Sequence, residues 1–328
     1  LLNYGYSERI RLKFFHLINK KSLLRNFIRT KKFKKFSEVF HLLDDRYSKK
    51  LFIKLIFKYI IAREHFAWKY YYDDWTKTSF EEIKHLIKKR RYFLSGNKYF
   101  DLYNLKEIGF PIELILDVTS VRTIFLFQQY KYHRNNNVVE TGEGDVVLDA
   151  GAGWGDTALY FANRVFPSGK VYTFEFIPHN VNILSKNINL NPKFKDIIKV
   201  IKVPLWSTSN KELEYIDIGT SSKIIQSASK KSDFLVKTIS IDDFVKQNNI
   251  SKIDFIKMDI EGAELDALIG AKETIIKYKP ILAICIYHLI DHYYQIPKYI
   301  HSLNPNYKLY IDHFSTGFIE TVLFAKIN

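Results

Sequence analysis

One cysteine, Cys285, in a chain of 328 residues excludes any internal disulfide, so no covalent brace holds the fold. It lies in the apolar run ILAICIYH, where a buried structural thiol is expected. A reducing, cytoplasmic location fits that usage. No uninterrupted apolar stretch reaches the ~18 residues of a bilayer-crossing helix, so none is expected. Glycine and proline are scarce, at 13 and 8. With the Lys-, Ile- and Asn-rich usage, this reflects genomic base composition as much as function. No internal repeat is evident. The chain opens on Leu1 rather than Met; a piece of a longer polypeptide is expected, and no signal peptide is read from it.

Acidic residues are what the first 140 positions lack. They hold 29 Lys/Arg against 14 Asp/Glu, a difference of +15, whereas residues 141–328 hold 21 against 21. Residues 1–35 carry 11 basic residues and one acid, Glu8. These charges interleave with Leu12, Phe15, Leu17, Ile18, Leu23, Leu24, Phe27 and Ile28 near helical spacing. The segment suits an anionic partner, and peripheral contact with an anionic membrane is expected of it. The alternative is that its apolar residues pack on the folded domain while the charges face water.

Two regions follow. Residues 1–140 read as mainly helical: basic amphipathic helices over 7–40, a longer helix over 48–72 with Ser48 as N-cap, another over 80–92, then strand-like pieces at Phe110–Val118 and Ile124–Tyr130. Residues 141–328 alternate strand and helix. Strands are predicted at 146–149, 170–176, 197–205, 253–260 and 281–287, and helices at 156–165, 178–190, 263–278 and 293–303. An insertion spans 207–236, with a hairpin near 212–218, and two closing strands near 307–313 and 318–325 suggest an antiparallel edge. The pattern predicts an α/β, doubly wound, mostly parallel Rossmann-like sheet with an antiparallel edge, preceded by the helical region.

The first strand runs into Asp149-Ala150-Gly151-Ala152-Gly153-Trp154-Gly155. Glycines there let backbone approach a ligand and allow positive φ, and the following helix start offers free N–H groups. The spacing is G-x-G-x-G, and Asp156 stands where a dinucleotide fold has its third glycine. An acid there repels pyrophosphate, and Asp149 suits the ammonium of a methionine moiety. Glu175, ending the second strand, suits two ribose hydroxyls. Together, Asp149, Gly151, Gly153, Gly155, Asp156 and Glu175 point to S-adenosyl-L-methionine.

IDFIKMDIEGAELDALIGAKETI, over the fourth strand, resembles the signature of the FkbM-type S-adenosylmethionine-dependent methyltransferases. The resemblance extends through VVLDAGAGWGDTALYFA, VYTFEFIPHNVNIL with its Asn187–Asn191 tail, ISIDDFV, ILAICIYH and YKLYIDHFSTGFIETVLFA. It covers about residues 141–328 and, weakly, 42–52. It implies O-methylation, commonly of a sugar, glycan or natural product, with a small-molecule or glycan acceptor.

Asp259, Glu261 and His288 fall at the ends of the fourth and fifth strands, where acceptor groups of such a sheet gather. His288 is the candidate general base, His313 the second candidate, and Asp259 a further catalytic candidate. Glu261 reads as a helix-capping or cofactor-orienting acid. Asp259, Glu261 and His288 could ligate a divalent ion, but the spacing matches no metal motif and no metal is assigned. The rival reading is an RNA ribose methyltransferase using the basic N-terminus. Base-amine methylation is disfavoured, because the turn after the fourth strand reads Asp-Ile-Glu-Gly where such enzymes carry Asp/Asn-Pro-Pro-aromatic, so nucleic acid is not the expected partner. A non-catalytic scaffold is disfavoured by the intact glycine turn and Glu175.

Overall fold

The computed structural model describes residues 25–62, 80–95, 98–134, 136–217, 223–225 and 234–327. The parts of the expected helices that fall at 7–24 and 63–72 lie outside the described residues.

Helix α1 (Lys31–Leu42) starts where the Thr30 side chain accepts the Phe33 N–H. Helix α2 (Arg46–Ala62) starts at Asp45, whose carboxylate accepts the Ser48 N–H. Ser48 is therefore not the cap. It is buried in the first turn, where its hydroxyl accepts the Ile311 N–H. The helix expected over 80–92 is present only over 80–86, ending in a 3-10 turn, Lys84–Leu86, and gives way to a strand, Ile87–Ser95. That strand pairs antiparallel with Lys98–Asn104, which pairs with Glu113–Leu116. The piece expected as strand at 124–130 is instead mostly a π-helical turn, Arg122–Leu126. The region before residue 140 thus carries a three-stranded sheet as well as helices.

The main sheet has seven strands: β1 (Val146–Ala150), β2 (Lys170–Phe174), β3 (Ile198–Ile201), β4 (Phe255–Met258), β5 (Ile281–Cys285), β6 (Lys308–His313) and β7 (Thr321–Lys326). Their spatial order is β6-β7-β5-β4-β1-β2-β3. Only β7 is reversed, and it inserts between β5 and β6. The closing strands pair antiparallel at one edge of the sheet, as expected, with β6 outermost.

Strands β4 and β5 are almost wholly apolar because both sheet faces are covered. On one face lie α3 (Asp156–Val165), α4 (Pro178–Leu190) and the antiparallel sheet, sharing a core with Val147, Val171, Phe255, Cys285 and Phe324. On the other lie α1, α2, α5 (Ile241–Gln247), α6 (Glu264–Ile269), α7 (Lys272–Tyr278) and α8 (His292–Leu303), packed on Leu148, Ile256, Met258, Ile284 and Leu323. The helix expected over 263–278 is two helices, α6 and α7. It breaks at Gly270, where a Cβ would stand 2.2 Å from the Trp206 carbonyl oxygen. The insertion forms a three-stranded antiparallel sheet centred on Glu212–Ile216, more than the single hairpin expected.

Candidate functional site

In a doubly wound sheet the ligand crevice opens at the carboxyl ends of the strands, where strand order reverses. Here that point lies between β1 and β4.

The loop after β1 is built around Asp149. Its carboxylate is fully buried and accepts hydrogen bonds from Thr157 Oγ1 of α3 (2.9 Å) and Thr173 Oγ1 of β2 (2.7 Å). The β1–β4 register sets Lys257 beside it, with Nζ 3.1 Å from Oδ1. Lys257 also donates to the carbonyls of Ala150 (3.1 Å) and Gly151 (2.5 Å). Burial opposes the ammonium, but Asp149 and Asp259 outweigh it and hold the Lys257 pKa above its ordinary value. A ligand ammonium is the partner expected for Asp149; within the chain its cation is Lys257, and the pair pins the loop from beneath.

Gly151, Gly153 and Gly155 all adopt positive φ, at 83°, 50° and 89°. At Gly151 a Cβ would fall 1.9 Å from the Asp259 carbonyl oxygen, so the loops after β1 and β4 pack backbone to backbone. Gly155 caps α3, and Asp156, half-buried in its first turn, has a pKa raised to about 7 by burial, against the pull of Lys257.

Glu175 follows β2 directly. It accepts from the Ile177 N–H (2.9 Å) and Asn180 Nδ2 (3.3 Å). Asn180 in turn accepts from Trp154 Nε1 (3.1 Å), which ties Glu175 to the glycine loop. Burial lifts the Glu175 pKa to about 7, despite these hydrogen bonds. Asn187 of α4 donates to the Trp154 carbonyl and to the Ile115 carbonyl of the antiparallel sheet, both at 2.9 Å. The Asn187–Asn191 tail thus fastens that sheet to the donor loop.

Across the switch point, Asp259 follows β4. It accepts from Tyr130 OH (2.9 Å) and Tyr287 OH (3.2 Å). His288, after β5, points Nε2 at Asp259 Oδ1 (3.4 Å) and Glu261 Oε2 (3.5 Å). Its Nδ1 stands 2.8 Å from Oε1 of Glu264, which is fully buried. Glu264 also accepts from the Ile260 N–H (2.9 Å) and faces His292 Nδ1 (3.2 Å). Burial raises the Glu264 carboxyl, but His288 and His292 outweigh it and hold it well below the usual carboxylate range. Burial likewise opposes the His288 imidazolium, yet Glu264, then Asp259 and Glu261, lift its pKa to about 9. The three carboxylates around His288 favour its charged form. Glu261, at φ 55°, joins this cluster rather than the glycine loop.

His313 ends β6, the outermost strand, and its Nδ1 is 2.8 Å from Thr321 Oγ1. Burial lowers its pKa to about 4. Like His288 it lies at the carboxyl ends of the parallel strands, but outside the carboxylate cluster. Glu320 does reach the cluster. It precedes the reversed strand β7, holds φ 66° and accepts from Gln129 Nε2 (2.5 Å). Burial, then the Asp259 charge, raise its pKa to about 8.

The sequence reading missed Lys257, Glu264 and Glu320. A lysine inside the apolar strand FIKM needs a buried partner, and that signal pointed to Asp149. Glu264 lies three positions past Glu261, one helical turn on. Glu320 carries no local signal, because only the insertion of β7 brings it to the site.

Residues 140–310 match the model of the methyltransferase FkbM domain. The chain belongs to the FkbM methyltransferase family. It is 24% identical over 187 residues to the methyltransferase sdnD of Sordaria araneosa, covering 48% of this chain and 71% of that protein. To the hexuronic acid methyltransferase AglP of Haloferax volcanii it is 26% identical over 134 residues, covering 40% of this chain and 52% of that one. Among solved structures, the methyltransferase FkbM from Methylobacillus flagellatus KT superposes with a TM-score of 0.56 at 19% identity, over 89% of this chain and 58% of that one. The chain thus spans little more than half of the latter two proteins, and the structural likeness bears on the fold.

Proposed function

We propose that this protein is an S-adenosyl-L-methionine-dependent O-methyltransferase acting on a hydroxyl of a sugar or glycan. One observation carries the reading: the glycine loop and Glu175 stand on one side of the switch point, and the carboxylate–histidine cluster stands on the other. Glu175 accepts from the donor's ribose hydroxyls. The glycine loop, whose positive φ lets a ligand approach the backbone closely, and the start of α3 take the donor's polar end. The acceptor lies over Asp259 and His288.

The acceptor oxygen attacks the methyl carbon as the carbon–sulfur bond breaks; sulfur leaves as a neutral thioether and the hydroxyl proton passes to a base. Alignment supplies most of the acceleration. We assign that proton to Glu320 in its ionised form: the reversed strand β7 brings it to the cluster, and a carboxylate whose pKa is raised is the stronger base. Kinship with a hexuronic acid methyltransferase supports a sugar acceptor. Asp259 and Glu261 face the acceptor side and would repel a polyphosphate chain, which weighs against RNA.

Calorimetric titration with the donor tests the reading. Glu175→Ala is expected to weaken binding about ten-fold or more, by loss of charge-assisted hydrogen bonds. Unchanged affinity in a folded variant would overturn the donor assignment. With labelled donor and a panel of glycans, Glu320→Gln is expected to slow transfer about 100-fold with donor affinity retained.

A further inference from the structure

His288 is oriented for a purpose that protein groups alone do not satisfy. Its side chain is only 7% exposed, and neither ring nitrogen has a partner in hydrogen-bonding geometry. Glu264 stands behind Nδ1 at 2.8 Å and is fixed by the backbone N–H groups of Ile260 (2.9 Å) and Gly262 (3.3 Å). Nε2 is thereby aimed between two carboxylates, at 3.4 Å from Asp259 and 3.5 Å from Glu261. Asp259 is itself oriented by Tyr130 and Tyr287. Asp259, Glu264 and His288 each place a ligand-type atom within 4.8 Å of the other two.

A carboxylate behind one imidazole nitrogen, with the other nitrogen facing oxygen ligands, is the arrangement that orients histidine toward a metal. Separations of 3.4 and 3.5 Å are those of neighbouring ligands around an ion at about 2.1–2.5 Å from each.

We propose that Asp259, Glu261 and His288, with Glu264 holding His288 in place, form a binding site for a divalent cation. Two carboxylates and one imidazole favour an ion of the Mg2+ or Mn2+ class. The ion takes the position that the Nε2 proton otherwise holds, so binding releases that proton. Its use in catalysis rests on the acceptor side assigned above: it would bind the acceptor hydroxyl and ease loss of its proton to Glu320. The site also offers an anionic sugar, such as a uronate, a cation in an otherwise acidic crevice.

The probe is Mn2+ alone, added to the whole chain and followed by the electron paramagnetic resonance of free Mn2+, with pulsed measurements for nitrogen coupling. One ion per chain is expected, with histidine nitrogen coupling that His288→Asn abolishes. Asp259→Asn and Glu261→Gln should each weaken binding about ten-fold or more. No stoichiometric uptake, uptake without nitrogen coupling, or equal uptake in both carboxylate variants overturns the site. Should His288→Asn or Asp259→Asn fail to fold, Glu261→Gln on a half-exposed residue and the nitrogen coupling of the unaltered chain still decide. A donor titration on the same sample separates the two readings. Donor binding without Mn2+ uptake overturns the cation site alone, and Mn2+ uptake without donor binding overturns the donor assignment alone.

Discussion

Lys257 and Asp149 are both fully buried and form an ion pair at 3.1 Å. Removing one partner of such a pair strands a charge and costs about 3–5 kcal/mol. Asp149→Ala is therefore expected to lower the thermal midpoint by on the order of 10 °C, and to weaken donor binding through disorder of the glycine loop. The paired change Asp149→Leu with Lys257→Met should recover much of the stability but not the binding. An unaltered midpoint in the single variant would show that the pair does not hold the loop. Glu175 gives a second test. Its folded pKa, about 7, lies above its unfolded value, so the folded state keeps a proton that the unfolded chain loses between about pH 4.5 and 7. That contribution to stability is present below pH 4.5 and is lost as pH rises to 7. Asp156 acts in the same direction. Differential scanning at pH 5 and pH 7 should show a smaller midpoint loss over this window in Glu175→Gln than in the unaltered chain. Donor affinity should move the opposite way and rise through pH 7, because ribose hydroxyls donate to the ionised carboxylate. Side-chain identity at this scale was legible; partnership was not. The acid at 149 was evident, but its cation came from a strand more than a hundred residues away.

Elements with their own punctuation were read to within a residue or so. Helix α3 begins after Gly155 and α4 on Pro178, and both match their predicted bounds. Elements set by distant contacts were not legible. The division of α6 from α7 depends on the Trp206 carbonyl approaching Gly270, and IKKRRYFLS pairs as a strand because Lys98–Asn104 lies beside it. The switch-point apposition of the loops after β1 and β4 can be tested through two glycines of similar φ. Gly151 and Gly109 stand at 83° and 88°, but a Cβ at Gly109 meets nothing within 4 Å, whereas one at Gly151 collides with Asp259 backbone. Gly109→Ala should cost only the left-handed strain, about 1 kcal/mol, with donor affinity intact. Gly151→Ala should abolish donor binding in calorimetry. Equal behaviour of the two variants would show that the loops need not touch.

At the scale of the whole molecule, the excess of fifteen positive charges belongs to residues 1–140. Part of that region is bound into the fold. Phe36 and Val39 of α1 enter the sheet core, Lys32 pairs with Asp291 (2.6 Å), and Lys298 pairs with Glu38 (2.5 Å). Of the apolar residues named in the basic segment, Phe27 packs against that core and Ile28 does not, and the others lie outside the described residues. Yet Arg25, Arg29, Lys31, Lys34 and Lys35 are exposed, and beside them Ile28 and Phe33 are 47% and 36% exposed. Among the described residues no helix is long and apolar enough to cross a membrane. Basic residues interleaved with exposed apolar ones are the pattern of a surface that lies on anionic lipid, each charge contributing about 1 kcal/mol. The expected outcome is co-sedimentation of the chain with phosphatidylserine-containing vesicles at low salt, weakened as salt rises, and absent with neutral vesicles. The triple change Arg29→Glu, Lys31→Glu and Lys34→Glu removes about 3 kcal/mol of attraction, on the order of a hundred-fold in binding, and adds repulsion. None of the three side chains enters the core, so the thermal midpoint should hold. Vesicle binding that survives the triple change, or that ignores salt, would move the contact elsewhere on the protein. No binding by the unaltered chain would leave these charges facing water.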